Sequence, residues 1–204
     1  MIFPHRWTIL IFAAALSVCS ASEAPSGSDP QAVPQPLSDA LLQAMKRGPA
    51  LDFAARVKAL EPEVSRDYDM PLMTRLVVGP PWRSMSPDEQ QALVAAFSEY
   101  SIAVYANRFK NFSGERFVVD PATAKLPSDD VIVHTKLLPH DGDPVELDYL
   151  MRSEPDGWRI IDVLLSGTIS QMAERRSEYS SALRDGGAAA LIRLLRQKTA
   201  QLAG

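Results

Sequence analysis

The sequence predicts an α+β fold in which one antiparallel sheet of four strands packs against helices from both ends of the chain. Three observations carry this. Apolar residues recur at helical spacing from Leu37 to about Asn111. They alternate with polar residues between Phe117 and Val163, and return to helical spacing after Ser170.

The first stripe is Leu37, Leu41, Leu42 and Met45, stopped by Gly48-Pro49. Leu51, Phe53, Ala54, Val57 and Leu60 make a second short helix. Glu63 to Val78 forms a third, with Tyr68, Met70, Leu72, Met73, Leu76 and Val77 as an unusually apolar surface; Pro71 should kink or divide it. Ser86-Pro87-Asp88-Glu89 is the clearest helix start. Serine caps, proline suits the first position, and glutamate reaches back to the cap amide. Leu93, Ala96, Phe97, Tyr100, Ala103 and Val104 continue that helix towards Asn111, and Gly114 closes the section.

Four strands follow at Phe117-Val118-Val119, Val131 to Thr135, Val145 to Tyr149 and Trp158 to Val163. Asp141-Gly142 and Asp156-Gly157 are hairpin signals, so the sheet is a meander. Two helices finish the chain, from about Ser170 to Leu183 and from Ala188 to about Gln201, with Asp185-Gly186-Gly187 between them.

The N-terminus has its own character. His5 and Arg6 precede an uncharged apolar run from Trp7 to Val18, then the small residues Cys19, Ser20 and Ala21. This is the order of a secretory signal, and the run is short for a membrane span. Residues 1–21 are therefore expected to be removed, with cleavage after Ala21 or as late as Ala24; an uncleaved anchor is the competing reading. Residues 22–36, rich in Pro, Ser, Gly and Asp, read as a disordered tether, and 37–204 as a single domain. The 25 acidic side chains exceed the 21 basic ones, which disfavours nucleic acid as a partner. The only cysteine, Cys19, leaves with the signal, so packing alone must hold the fold.

Catalysis needs a nucleophile, base and orienter, or a metal cluster. Beyond the signal there are two histidines, His134 and His140, without metal-ligand spacing. His140 lies beside Asp141 in a turn, and His134 reads as a half-buried sheet histidine. Asp148 and Asp162 sit on neighbouring strands, where cross-strand pairing with Lys136, Arg152 or Arg159 is the ordinary outcome. No nucleophile elbow or glycine-rich phosphate loop is present. No cofactor, metal or catalytic residue is assigned. What stands out is apolar bulk: Met70, Met73, Trp82, Phe97, Tyr100, Tyr105, Phe109 and Phe112 face a sheet bearing Val133, Leu147, Tyr149 and Ile161. These residues fit a filled core or a hollow one, and methionines suit a hollow that adapts to its ligand.

Several motifs resemble one family. Tyr68-Asp69-Met70, Val78-Gly79-Pro80-Pro81-Trp82, Phe97-Ser98-Glu99-Tyr100, Tyr105-Ala106 and Gly114 are followed by Trp158-Arg159-Ile160-Ile161-Asp162-Val163, Gly167-Thr168-Ile169-Ser170, Tyr179 and Gly186-Gly187. Together, over about Leu37 to Ala200, they are similar to the toluene-tolerance auxiliary, or MlaC, family of periplasmic lipid-binding proteins. Pro71 to Arg75, Gly79 to Arg83 and Phe112 to Phe117 look closest to its hopanoid-associated HpnM branch. Thr168 departs from the valine common in the family, which could alter the turn into the last helices.

The resemblance implies an apolar cavity between sheet and helices, and a periplasmic monomer that carries phospholipid or hopanoid. It would pass lipid between an inner-membrane ABC transporter complex and an outer-membrane lipoprotein complex. On this basis Met70, Met73, Val77, Phe97, Tyr100, Val104, Leu147, Tyr149 and Ile161 are the expected lipid-binding residues, and Trp82 and Trp158 structural wedges. Which sheet face points inward depends on one-residue alternation. An adaptor that only docks on transport complexes, or a small hydrolase using His134 with Asp148 or Asp162, are the alternatives.

Overall fold

The computed structural model describes residues 29–204. The expected export segment, and the tether up to residue 28, lie outside the described residues. The rest of that tether is folded, which corrects the expectation. Asp29 accepts a hydrogen bond from the Gln31 amide at 3.1 Å and starts a 3-10 turn over Pro30–Ala32. Helix α1 then runs over Pro34–Arg47, with proline in its first turn preset for helical geometry.

Helix α2 spans Phe53–Asp67, capped by Asp52, whose carboxylate accepts from Ala55 N at 2.7 Å. It passes straight through Pro62, extending beyond the boundary expected near Leu60. Pro62 is exposed, so water can serve the carbonyl that loses its partner. The break falls at Tyr68-Asp69 instead. There Asp69 N donates to the Ile160 carbonyl at 3.0 Å, and the Asp69 side chain caps helix α3, Met70–Val78, through Leu72 N at 2.9 Å. Pro71 sits in the first turn of α3, so it begins a helix and does not kink one.

Helix α4, Pro87–Arg108, starts with the expected capping box. Glu89 N donates to Ser86 Oγ at 3.3 Å, and Ser86 N donates to Glu89 Oε2 at 2.8 Å.

The sheet has five antiparallel strands in sequential order, one more than expected. They are β1 Arg116–Lys125, β2 Val131–Leu138, β3 Val145–Glu154, β4 Gly157–Leu165 and the two-residue β5 Ile169–Ser170. The extra strand exists because the turn at Ser166-Gly167 folds Ile169 and Ser170 back onto Leu165 and Leu164. Helix α5, Gln171–Ala203, is interrupted at Gly186 and Gly187, whose backbones leave helical geometry, so it comprises the two helical segments that Asp185-Gly186-Gly187 implies.

One sheet face packs on the helices through Val133, Tyr149, Met151, Ile160 and Val163, which join Leu60, Val64, Val77 and Phe97 in one core. The junction from β4 into α5 has a specific lock. Asp162 is buried; its Oδ1 accepts from Val163 N at 2.7 Å and Met172 N at 3.1 Å, while Oδ2 accepts from the Ser170 hydroxyl. Ser170 Oγ in turn caps α5 through Ala173 N at 3.0 Å. The Trp-x-x-x-Asp-Val…Gly-x-x-Ser spacing thus encodes a physical joint. Thr168 is exposed in the turn and donates no bond that the joint needs.

Replacing Asp162 by alanine strands two buried amide donors and should cost about 1–3 kcal/mol for each group left unpaired. Ser170→Ala, which removes a helix cap, should cost about 1 kcal/mol. Denaturant unfolding measures both, and an unchanged midpoint for Asp162→Ala would refute the lock.

Candidate functional site

The helices and the sheet do not close on one another everywhere. A cavity of about 460 Å³ remains between the inner sheet face, the last turns of α4, helix α3 and the start of α5. This lies within the range of small-molecule sites, about 300–1,000 Å³. Its wall is mainly apolar. Met45, Met70, Met73 and Met172 come from α1, α3 and the start of α5, and their thioethers can repack around a flexible guest. The sheet contributes Leu137, Val145, Leu147, Tyr149, Val163 and Leu165.

Strand register explains the sheet side of this wall. Leu147 pairs with Leu165 and Tyr149 with Val163, which sets all four side by side on the inner face. The pairing then skips Ile161, because Leu150 opposes Asp162 while Met151 opposes Ile160. This bulge gives the inner position to Ile160, which is fully buried in the core. Ile161 is buried but does not reach the cavity.

Of the nine residues the resemblance points to, five line the cavity: Met70, Met73, Val104, Leu147 and Tyr149. Val77 and Phe97 do not. The cavity touches α4 only at Ser101, Val104, Tyr105 and Arg108, so Phe97 lies one turn earlier, in packed core. Val77 lies beyond Met73 on α3, where the helices meet. Tyr100 is not in this wall: it lines a smaller hollow beside the cavity, with its ring centre 5.0 Å from the Arg175 guanidinium. Trp82 and Trp158 pack against the core and line no part of the hollow.

Tyr68, Tyr105, Phe109, Val163 and Met172 are wall residues that the sequence reading does not name as such. Val163 and Leu165 follow from the hairpin register opposite Leu147 and Tyr149. Tyr68, part of the apolar surface expected for the third helix, and Met172, which no local periodicity marks, are brought to the wall by chain breaks.

The polar groups inside are mostly neutral. The Tyr68 and Tyr105 hydroxyls hydrogen-bond each other, with ring centres 6.0 Å apart edge to face. Tyr105 stacks on Phe109 at 5.9 Å. Burial pushes the Tyr68 and Tyr149 phenols well above their ordinary range, so both stay protonated at neutral pH. The charged residues of the wall are Arg108, Arg175 and Glu115, whose carboxylate accepts from Ser113 N at 2.6 Å.

The histidine named for hydrolysis lies elsewhere. His134 Nδ1 is 2.8 Å from Asp148 Oδ2, and Asp148 Oδ1 accepts from Thr135 N at 3.2 Å. Neither His134 nor Asp148 touches the cavity, and Asp162 is committed to the β4–α5 joint. Among the described residues no group of three or more His, Cys, Asp or Glu side chains could hold a metal ion. Among them, too, no helix is long and apolar enough to cross a membrane.

Residues 35–197 match the sequence profile of the MlaC protein family. The fold is also similar to a solved structure, that of a phospholipid-binding protein from Ralstonia solanacearum in complex with a phospholipid. The TM-score is 0.75 at 25% sequence identity, and the match covers 87% of this chain and 100% of that one. With the family match spanning most of the sequence and the α+β architecture in agreement, the chain belongs to the MlaC family.

Proposed function

We propose that this protein is a periplasmic lipid carrier whose cavity shelters hydrocarbon from water. The observation that carries this reading is the methionine-lined hollow between sheet and helices. Each methylene taken out of water contributes about 0.8 kcal/mol. Ten of them give about 8 kcal/mol, a micromolar binding free energy, before any headgroup contact. No reacting group is needed for such a task.

The phospholipid bound by the Ralstonia solanacearum relative supports phospholipid as the cargo class. Hopanoid is the alternative cargo, on the resemblance to the HpnM branch. The export-like residues 1–21 support a periplasmic site of action. There, as a monomer, the carrier would receive and deliver lipid between an inner-membrane ABC transporter complex and an outer-membrane lipoprotein complex. An adaptor that merely docks has no use for a hollow of this kind, which favours carriage.

Organic extraction of the purified, exported protein should release about one equivalent of lipid or more by mass spectrometry, whereas protein that is empty and takes up no added lipid would contradict the proposal. Leu147→Trp drives a large side chain into the cavity from the sheet. It should remove most of the bound lipid while leaving the thermal midpoint the same or higher, and unchanged occupancy would count against this cavity as the site. Amino-terminal sequencing of the exported protein should begin at Ser22 or Pro25; an intact Met1 on periplasmic protein would overturn the processing.

A further inference from the structure

Beside the apolar cavity lies a smaller hollow of about 250 Å³ between α4 and α5, and the two share Val104, Arg108, Gln171 and Arg175 in their walls. The character changes across that shared wall, from methionine and leucine to arginine, glutamate and asparagine.

The charges in this annex are unequally engaged. Glu178 forms an ion pair with Lys198 at 2.5 Å, and Glu174 accepts from the Gln171 amide at 2.7 Å. Arg108 and Arg175 join no ion pair among the described residues. Arg175 is partly buried and oriented without a carboxylate: it donates to the Tyr179 hydroxyl at 3.2 Å and lies beside the Tyr100 ring. Burial opposes its charge, but the phenolic oxygens of Tyr179 and Tyr100 outweigh that, so the guanidinium remains charged. Burial raises the nearby Tyr105 phenol, while its hydrogen bond to Tyr68 and the charges of the two arginines pull the other way.

A desolvated, pre-oriented guanidinium without a counter-ion is costly unless a ligand supplies the anion. Its planar fork matches a phosphate, and a second arginine in the same wall reinforces that match. We propose that Arg108 and Arg175 form a phosphate subsite for the lipid headgroup, so that the carrier selects phosphate-bearing lipids over neutral lipids with the same tails. This rests on the carriage reading and deepens it. The subsite sits where a lipid with its tails among Met70, Met73 and Leu147 would bring its phosphate out of the apolar wall.

Delipidated protein offered phosphatidylethanolamine or diacylglycerol of matched acyl chains, each separately from cyclodextrin, tests this by the amount bound. The wild type should favour the phospholipid by roughly tenfold or more, the scale of one hydrogen bond to a charged group. Arg108→Gln and Arg175→Gln should each pull that ratio towards one, while Arg175→Lys, which keeps the charge and loses the fork, should fall between. Arg108 is exposed, so Arg108→Gln carries the test if Arg175→Gln does not fold. Equal uptake of the two lipids by the wild type, or a preference that survives both glutamine variants, would overturn the subsite and leave carriage standing. Uptake of neither lipid would sink carriage and the subsite together. Inorganic phosphate binding to the delipidated protein with no phospholipid preference would identify a free-anion site and overturn the headgroup assignment.

Discussion

A single buried carboxylate governs where the hollow lies. Asp162 receives Met172 N and the Ser170 hydroxyl, so helix α5 must leave the sheet at the end of β4 in one fixed direction. That departure sets Gln171, Met172 and Arg175 opposite Val104 and Tyr105 of α4, with Val163 and Leu165 beneath them. Elsewhere the same sheet face, at Met151 and Ile160, joins Val77 and Phe97 in close-packed core. The molecule is therefore solid at one end and open at the other. Packing at the solid end supplies stability that the hollow end forgoes.

The wall of the hollow combines adaptable and fixed parts. Methionines give it tolerance of shape, while Tyr105 stacked on Phe109 and bonded to Tyr68 gives it a rigid aromatic side. Its interior phenols are neutral, and its two arginines also line the smaller hollow between α4 and α5. For a guest with long hydrocarbon chains and an anionic group this is a complementary surface. For hydrolytic chemistry it is a poor one, because His134 and Asp148 pair outside the hollow.

Local chemistry made much of the fold legible in the sequence. The Ser86–Glu89 capping box, the glycine break before Ala188 and the two hairpin turns each depend on residues a few positions apart. The boundaries misread are those set by distant partners. Helix α2 runs on past Pro62 because its exposed carbonyl can meet water, and it stops where Tyr68 bridges to Ile160, 92 positions away in the chain. The same limit applies at the site. Met70, Met73, Leu147 and Tyr149 follow from period and face, but Ile161 loses its inner position to a bulge that alternation alone cannot reveal. Phe97 and Val77 have the right face at the wrong height, since how far a cavity extends along a helix is decided by what packs above it.

The proposed carriage of lipid through water can be tested with two vesicle populations kept apart by a porous membrane that passes protein and excludes vesicles. Labelled phospholipid should appear in the acceptor vesicles at a rate proportional to carrier concentration. Lipid that stays with the donor vesicles at every protein concentration would contradict the account.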